Sequence, residues 1–406
     1  MKRDRISILH AVTDSRSTIL MRGQMAYLKE NGFDTALLSS PGEELDRISS
    51  EEGHAAFGVP MRREIAPLHD LKSLFDIWKL LRRIKPVICN SGTPKAGLLV
   101  GIAAWLTRVP CRVYTLRGLR LETESGLKRS ILAVTEKISC GCAHRVICVS
   151  PSLLEQVVAK GLVPRRKTAL LGAGSSNGVD PLRFARTPEK LTLAAEMRHK
   201  LGIRSNQPVI GFAGRFTNDK GLPELIAAFQ QVRKAVPETA LLLVGHYEEG
   251  DPVPQATRDA IKSEPGIYCV EFTPQIELYY LVMSIFVLPT YREGFPNTIL
   301  EAQAAGLPVV TTTATGAVDA IHDGITGLLT PVGDSHKLAE AILALLADRK
   351  KMQRMGGAGR ERVLREFRNE IIWQALSSLY TDMLQKRGYL SPADSRVEAV
   401  RCVHTQ

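Results

Sequence analysis

Short runs of β-branched and other apolar residues recur along the chain, each followed by a longer stretch in which apolar positions return every three or four residues. In the first half the short runs are Ile6 to Val12, Thr35 to Ser39, Val87 to Asn90, Arg112 to Thr115 and Arg145 to Ser150. In the second half they are Pro208 to Phe216, Ala240 to Gly245, Cys269 to Thr273, Ser284 to Pro289, Val309 to Thr313 and Gly327 to Pro331. Near-continuous apolar strands alternating with amphipathic helices mark parallel sheets covered on both faces. The pattern predicts an α/β protein of two doubly wound, Rossmann-like domains facing across a cleft.

Between the two sets lies Leu171-Gly-Ala-Gly-Ser-Ser-Asn-Gly-Val-Asp180, dense in glycine and small polar residues, then a loosely patterned, proline-containing stretch to about Gln207. This places a hinge, with one domain over 1–180 and a second over 181–370. Helical patterning runs from Lys337 to Ala347 and from Lys350 to Arg387, the latter in one or two helices. Its last part, 371–388, is expected to pack back on the first domain, and 389–406 read as a disordered tail. In such a fold ligands lie outside the carboxyl ends of the strands, so chemistry is sought in the loops that follow them.

A chain of 406 residues is long enough for two cores, and 44% hydrophobic with 23% charged residues leaves no room for extensive disorder. The basic start, Met1-Lys-Arg-Asp-Arg5, precedes too short an apolar run for a signal peptide and reads as a first strand. The longest apolar stretch, Ala96 to Leu106, falls short of the roughly 20 residues a spanning helix needs. Seven cysteines without CxxC spacing argue against a disulfide framework and a zinc site, and for a reducing, cytoplasmic setting with buried, inert thiols.

The net charge of +11 is uneven: residues 1–180 hold 27 Lys+Arg against 17 Asp+Glu. An anionic partner for that half is either nucleic acid or an anionic membrane surface, the alternative being simple solubility. The basic residues are scattered and accompany no RRM, KH or zinc-finger pattern, so nucleic acid is not expected as a partner. Clusters at Arg62-Arg63, Arg82-Arg83-Lys85, Lys128-Arg129 and Arg165-Arg166-Lys167 suit peripheral attachment at the inner face of a membrane, and equally suit solvated helix faces.

Two motifs carry chemistry. Gly211-Phe-Ala-Gly-Arg-Phe-Thr-Asn-Asp-Lys-Gly221 follows a buried strand and opens a helix, placing Gly214, Arg215 and Lys220 at the turn. Glycines, two cations and a helix N-terminus suit a diphosphate. Tyr291-Arg-Glu-Gly-Phe-Pro-Asn-Thr-Ile-Leu-Glu301 follows another strand, with Glu293 in the loop and Glu301 one turn into the helix. A carboxylate accepts two donors, so Glu301 suits the hydroxyls of a ribose and Glu293 those of a sugar. The amides of Gly294, Phe295 and Asn297, at a helix start, are candidates to line the same ligand. No acidic cluster of metal-binding type stands out, so the leaving group's charge falls to the two cations and the helix N-terminus.

With Glu293 and Glu301 the sequence resembles the retaining glycosyltransferases of family 4, of GT-B fold, whose signature is Glu-x7-Glu. The resemblance runs from the first strand to about Gln385 and includes Ser40-Pro-Gly-Glu43, Thr93-Pro-Lys-Ala-Gly97, Tyr114-Thr-Leu-Arg-Gly-Leu119 and Gly174-Ser-Ser-Asn-Gly-Val-Asp180. It is closest to bacterial capsular, exopolysaccharide and lipid-linked oligosaccharide transferases. It implies a metal-independent enzyme that needs no cofactor, with a nucleotide diphosphate-sugar donor, UDP favoured, and an undecaprenyl diphosphate-linked saccharide acceptor. Arg215 and Lys220 would hold the donor diphosphate, Glu301 the ribose and Glu293 the sugar, with Phe272 to Ile276 near the base. The amino-terminal domain would supply the acceptor side, with Arg22 from the loop Thr13 to Gly23, Lys95 and Arg117. That loop lacks the paired glycines of many relatives, and Arg117 stands where many carry a sugar-contacting histidine. It would meet phosphate or acceptor instead, the alternative being a surface arginine without consequence. A GT-B nucleotide-sugar epimerase and a non-catalytic sugar-nucleotide-binding scaffold are the competing readings.

Overall fold

The computed structural model describes residues 6–248 and 250–391. The first half runs β1 (Ile6–Ala11), α1 (Gln24–Glu30), β2 (Phe33–Ser39), α2 (Glu43–Glu52), β3 (Ala55–Gly58), α3 (Pro67–Ile84) and β4 (Ile88–Ser91). It continues through α4 (Pro94–Leu106), β5 (Cys111–Leu116), α5 (Gly126–Cys142), β6 (Arg145–Cys148), α6 (Pro151–Ala159) and β7 (Thr168–Ala169). The second half holds α7 (Pro188–Lys200), β8 (Val209–Ala213), α8 (Leu222–Ala235), β9 (Ala240–Val244), α9 (Gln255–Ser263), β10 (Ile267–Val270) and α10 (Ile276–Val282). Then come β11 (Ile285–Leu288), α11 (Asn297–Ala304), β12 (Val309–Thr312), α12 (Ala317–Ala320), β13 (Gly327–Thr330), α13 (Ser335–Leu346), α14 (Arg349–Glu366) and α15 (Asn369–Gln385).

The strands form two parallel sheets, ordered β3-β2-β1-β4-β5-β6-β7 and β10-β9-β8-β11-β12-β13. In each the winding reverses beside the first strand, between β1 and β4 and between β8 and β11, which is where a doubly wound sheet opens a crevice at its carboxyl edge. Strands β8, β9, β11 and β12 are buried along their whole length, as helices on both faces require. The pattern does not announce β3 and β7, which are short, half-exposed edge strands with little apolar signal. Strand β10 starts two residues earlier than expected and ends at Val270, leaving Phe272 in the following loop.

The loosely patterned stretch before Gln207 holds helix α7, a correction with a clear cause. Ala194 is its buried residue and Leu191 and Leu193 face solvent, so no apolar stripe marks it. Its signals are the Thr187 side chain, which accepts from Lys190 N–H, and Pro188 in the first turn.

Two chain passages between the domains lie side by side. The Val179 N–H donates to Phe367 O at 2.9 Å, and the Asn369 N–H to Val179 O at 3.2 Å. Beyond them α15 buries Ile372, Leu376, Met383 and Leu384 in the amino-terminal core. Its Tyr380 hydroxyl accepts from Asn90 Nδ2 at 2.7 Å and meets His10 Nε2 at 2.9 Å. Burial, with the Arg117 charge adding to it, lowers the His10 pKa to about 3, so this ring stays neutral in the fold. The expected tail lies, from residue 392 on, outside the described residues.

Cys89, Cys111, Cys140 and Cys148 are buried free thiols, and Cys142 is half-buried. Cys269 departs from the expectation of buried thiols: it is exposed, because β10 is an edge strand. Cys402 lies outside the described residues. No described helix is long and apolar enough to cross a membrane.

Candidate functional site

The loops that follow β8 and β11 meet at the crevice of the carboxy-terminal sheet, and backbone geometry forces them together. At Gly221 φ is +71°, and a Cβ there would stand 2.0 Å from Pro289 O. The single-turn helix Asn218–Lys220 is thereby pressed against the end of β11. Lys220 Nζ lies 2.5 Å from Glu293 Oε1, with both side chains largely covered. Asp219 beneath them bonds Thr217 Oγ1 at 2.6 Å and pairs with Arg292 at 2.8 Å. Burial alone would raise the Asp219 pKa; the Lys220 charge, the Thr217 hydroxyl and the Arg292 charge outweigh it and hold the carboxyl below its usual range.

Arg215, from the same loop, pairs with Glu248, and Glu248 also receives Arg63 from the amino-terminal domain. Glu301 accepts from the Tyr280 hydroxyl at 2.8 Å. Burial pushes the Glu301 carboxyl up to about 7, against the opposing effect of that hydrogen bond. Phe272 is 66% exposed in the loop after β10, edge-on to His246, and Ile276 opens α10 nearby in the chain.

Two nominated positions also make structural contacts. The Gly214 N–H donates to Val244 O at 3.0 Å, so it extends the sheet and is not a free amide for a ligand. The Phe295 ring packs on Phe367 at 5.3 Å, and a Cβ on Gly174 would stand 2.9 Å from it, so it fills the space between the chain passages. Gly294 is wedged between domains: a Cβ there would stand 2.2 Å from Arg117 O, and one on Gly316 would stand 2.3 Å from Gly294 O. Asn297 begins α11, and its Oδ1 accepts from Ser175 Oγ at 3.3 Å.

On the amino-terminal side, Arg117 is neither a loose surface residue nor a free cation. Its Nη1 donates to Gly92 O at 2.8 Å and its Nε to Ser176 Oγ at 3.1 Å. A Cβ on Gly92 would stand 2.0 Å from that Nη1, so a glycine is what admits the guanidinium. Burial lowers the Arg117 pKa to about 10, which leaves it charged near neutrality. Lys95 is not brought to the cluster as a free cation; its Nζ is held by Asp70 at 2.5 Å. Arg22 is exposed, and its carbonyl accepts from Asn177 Nδ2 at 3.1 Å.

Sequence reasoning missed Glu248, Arg63, Tyr280 and Arg292. Glu248 and Arg63 follow β9 and β3, so searching the loop after every strand would have nominated them. Tyr280 reaches Glu301 through the packing of α10 beside α11, for which a single sequence carries no signal. Further contacts cross the cleft: Glu122 Oε1 accepts from Thr315 at 3.0 Å, Thr123 Oγ1 from Arg292 Nε at 2.9 Å, and Asp319 from the Ser152 N–H at 2.9 Å. Among the described residues no group of three or more His, Cys, Asp or Glu is placed to hold a metal ion.

Two family models match, "Glycosyl transferase 4-like domain" over residues 19–174 and "Glycosyl transferases group 1" over 207–348. The capsular polysaccharide biosynthesis glycosyltransferase CapM of Staphylococcus aureus is 39% identical over 379 residues, 93% of this chain and 98% of that protein. The UDP-Gal:α-D-GlcNAc-diphosphoundecaprenol α-1,3-galactosyltransferase of Escherichia coli is 25% identical over 362 residues, 88% of this chain and 91% of its own length. Among solved structures, Anabaena HepE in complex with UDP superposes with a TM-score of 0.76 at 19% identity, covering 93% of this chain and all of HepE. Sucrose-phosphate synthase from Thermosynechococcus elongatus gives the same TM-score at 19% identity, covering 94% and 100%.

Proposed function

The chain belongs to the group 1, 4-like glycosyltransferases of GT-B fold, and from that premise we propose a specific reaction. It moves a hexose or N-acetylhexosamine from a UDP-sugar to an undecaprenyl diphosphate-linked saccharide in the assembly of a bacterial surface polysaccharide. The observation that carries this is the Lys220–Glu293 pair at the β8–β11 crevice, with Arg215 on the same loop as Lys220 and Glu301 on the helix that follows Glu293. The similarity to CapM and to a transferase named for UDP-Gal and a diphosphoundecaprenol acceptor supports the choice of substrates.

In this reading Arg215 and Lys220 exchange their carboxylate partners for the donor's diphosphate. Breaking the bond between the anomeric carbon and the phosphate oxygen develops negative charge on the diphosphate, which two cations and the start of α8 offset without a metal. The acceptor hydroxyl forms the new bond on the same face and passes its proton to the departing phosphate oxygen, which retains configuration. No protein nucleophile is needed; Glu293, released from Lys220, orients sugar hydroxyls and Glu301 binds the ribose. Phe272 offers an exposed ring to the base. Contacts across the cleft, such as Glu122 with Thr315, exclude water when the domains close. Because a glycosyltransferase of this type acts where its lipid-linked acceptor lies, the protein works peripherally at the inner face of the cytoplasmic membrane.

The test is transfer in EDTA from a panel of UDP- and GDP-sugars to a short-chain polyprenyl diphosphate-linked monosaccharide, with the anomeric coupling of the product read by NMR. A retained product from a UDP-sugar is expected. An inverted product, or isomerisation of the donor without transfer, contradicts the reading, the latter in favour of an epimerase.

A further inference from the structure

Helix α5 carries Leu127, Ile131, Val134 and Ile138 at helical spacing, and all four face solvent. An apolar stripe of that spacing normally faces a core. Here the core side of α5 is built from Ser139, Cys140 and Glu136, whose carboxyl bonds the Tyr114 hydroxyl at 2.6 Å. The stripe is therefore surplus to the fold.

The neighbouring helices repeat it. Helix α4 packs between α3 and α5 and ends in exposed Trp105 and Leu106. Helix α3 exposes Leu68, at 84%, with Leu71 and Phe75 following on the same face, and Ile65 precedes it. Three adjacent helices thus each expose large apolar side chains, a concentration that a protein in water rarely shows.

The charge around this patch is mostly positive, although Glu64, Asp76 and Glu124, which pairs with Lys128 at 2.6 Å, lie among the cations. On α5, Lys128, Arg129 and Lys137 flank the stripe, and the helix's acidic residue, Glu136, is buried. On α3, Lys79 lies 4.3 Å from the Phe75 ring centroid and Arg82 4.9 Å from that of Trp78, with Lys72 and Arg83 close in sequence. Apolar side chains rimmed by cations match the boundary of a bilayer with acidic headgroups, into which the first insert while the second meet phosphate.

The patch adjoins the cleft. Glu122 and Thr123, just before α5, touch Thr315 and Arg292 of the opposite domain. Arg63, just before α3, touches Glu248. Both apolar stripes therefore start at the mouth of the cleft, beside the candidate site.

We propose that the outer face of α3, α4 and α5 is a docking surface for an anionic lipid bilayer, seating the cleft mouth at the membrane. It deepens the peripheral placement given above and rests on that reading only for its purpose, since the surface binds lipid with or without transfer. The test is co-sedimentation of the full chain with vesicles of phosphatidylcholine containing phosphatidylglycerol, without substrates. The wild type is expected to sediment with them, and L127E/V134E and K128E/R129E each to lose about tenfold or more in partitioning, given roughly 1 kcal/mol per surface cation and a similar scale for inserted side chains. Both pairs are exposed and outside the site, so UDP-induced thermal stabilisation should stay at the wild-type value, separating loss of docking from loss of fold or donor binding. Wild-type behaviour of both variants on vesicles, or no sedimentation of the wild type, overturns the proposal. So does a wild-type dimer that L127E/V134E converts to monomer without any vesicle binding, which would assign the face to a second copy of the chain. Vesicle binding without transfer in any assay would sustain the surface and defeat the reaction proposed above.

Discussion

The two walls of the cleft hold their charges in different ways. In the carboxy-terminal wall cations pair with carboxylates, Lys220 with Glu293 and Arg215 with Glu248. In the amino-terminal wall the central cation, Arg117, is tied to the Gly92 carbonyl and the Ser176 hydroxyl, and Lys95 is tied to Asp70 on α3. A carboxylate partner can be replaced by a phosphate of like charge, whereas a half-buried arginine bound to backbone keeps its place and shapes what surrounds it. In the proposed reading the first wall exchanges ligands and the second holds a form. Substitutions on the two sides should therefore fail differently.

The largest effect is expected from Lys220→Met, which in the proposed reaction removes a cation facing the charge that develops on the leaving group. A fall in kcat of about a hundredfold or more is expected, as for loss of one preorganised electrostatic contact. A kcat kept at the wild-type value would show that Lys220 does not offset the charge on the leaving group. Next, Glu301→Ala should raise KM for the donor by about tenfold, the scale of a charged hydrogen bond lost, with kcat nearly kept. Arg117→Lys keeps the charge but cannot bridge Gly92 and Ser176 together. It should lower acceptor-dependent turnover by roughly tenfold at unchanged UDP affinity, by the usual cost of losing one such hydrogen bond. A changed UDP affinity would move Arg117 to the donor wall.

The smallest effect concerns stability and pH. Glu301 has a folded pKa raised by burial to about 7, above its unfolded value of 4.5. Between those values the folded state retains a proton that the unfolded chain has released, so this group's contribution to stability falls as pH rises from about 4.5 to about 7 and is level above that. Glu301→Gln removes the ionisation, and its Tm should exceed that of the wild type by about 2–4 °C at pH 8 for each kcal/mol recovered, with the gap closing near pH 5. A gap independent of pH would show that Glu301 is not held in that environment.

Legibility in the sequence followed the same divide. The buried strands β8, β9, β11 and β12 are continuous apolar runs, and the two motifs beside them hold Arg215, Lys220, Glu293 and Glu301 in contiguous segments. Helix α7 escaped because its leucines face water, and β3 and β7 because edge strands carry few buried side chains. A glycine after a strand offers its amide to a ligand or to the next strand alike, and at Gly214 the pairing with Val244 decides for the strand. The partners Glu248, Arg63 and Tyr280 come from separate segments, so their meeting depends on tertiary packing. Lys95 illustrates the converse: its place after β4 is legible, and its capture by Asp70, 25 residues earlier, is not.

The central claim is that the carboxy-terminal wall binds a uridine diphosphate-sugar through exchangeable ion pairs, and thermal stabilisation tests it most directly. A panel of UDP-, GDP-, ADP- and TDP-sugars in EDTA should raise Tm with UDP-sugars above the others, because a ligand bound only by the folded state stabilises it. The shift should shrink sharply in Glu301→Ala and in Lys220→Met while surviving in Arg117→Lys. No shift with any nucleotide-sugar, or one that survives in Glu301→Ala and Lys220→Met, would contradict the account.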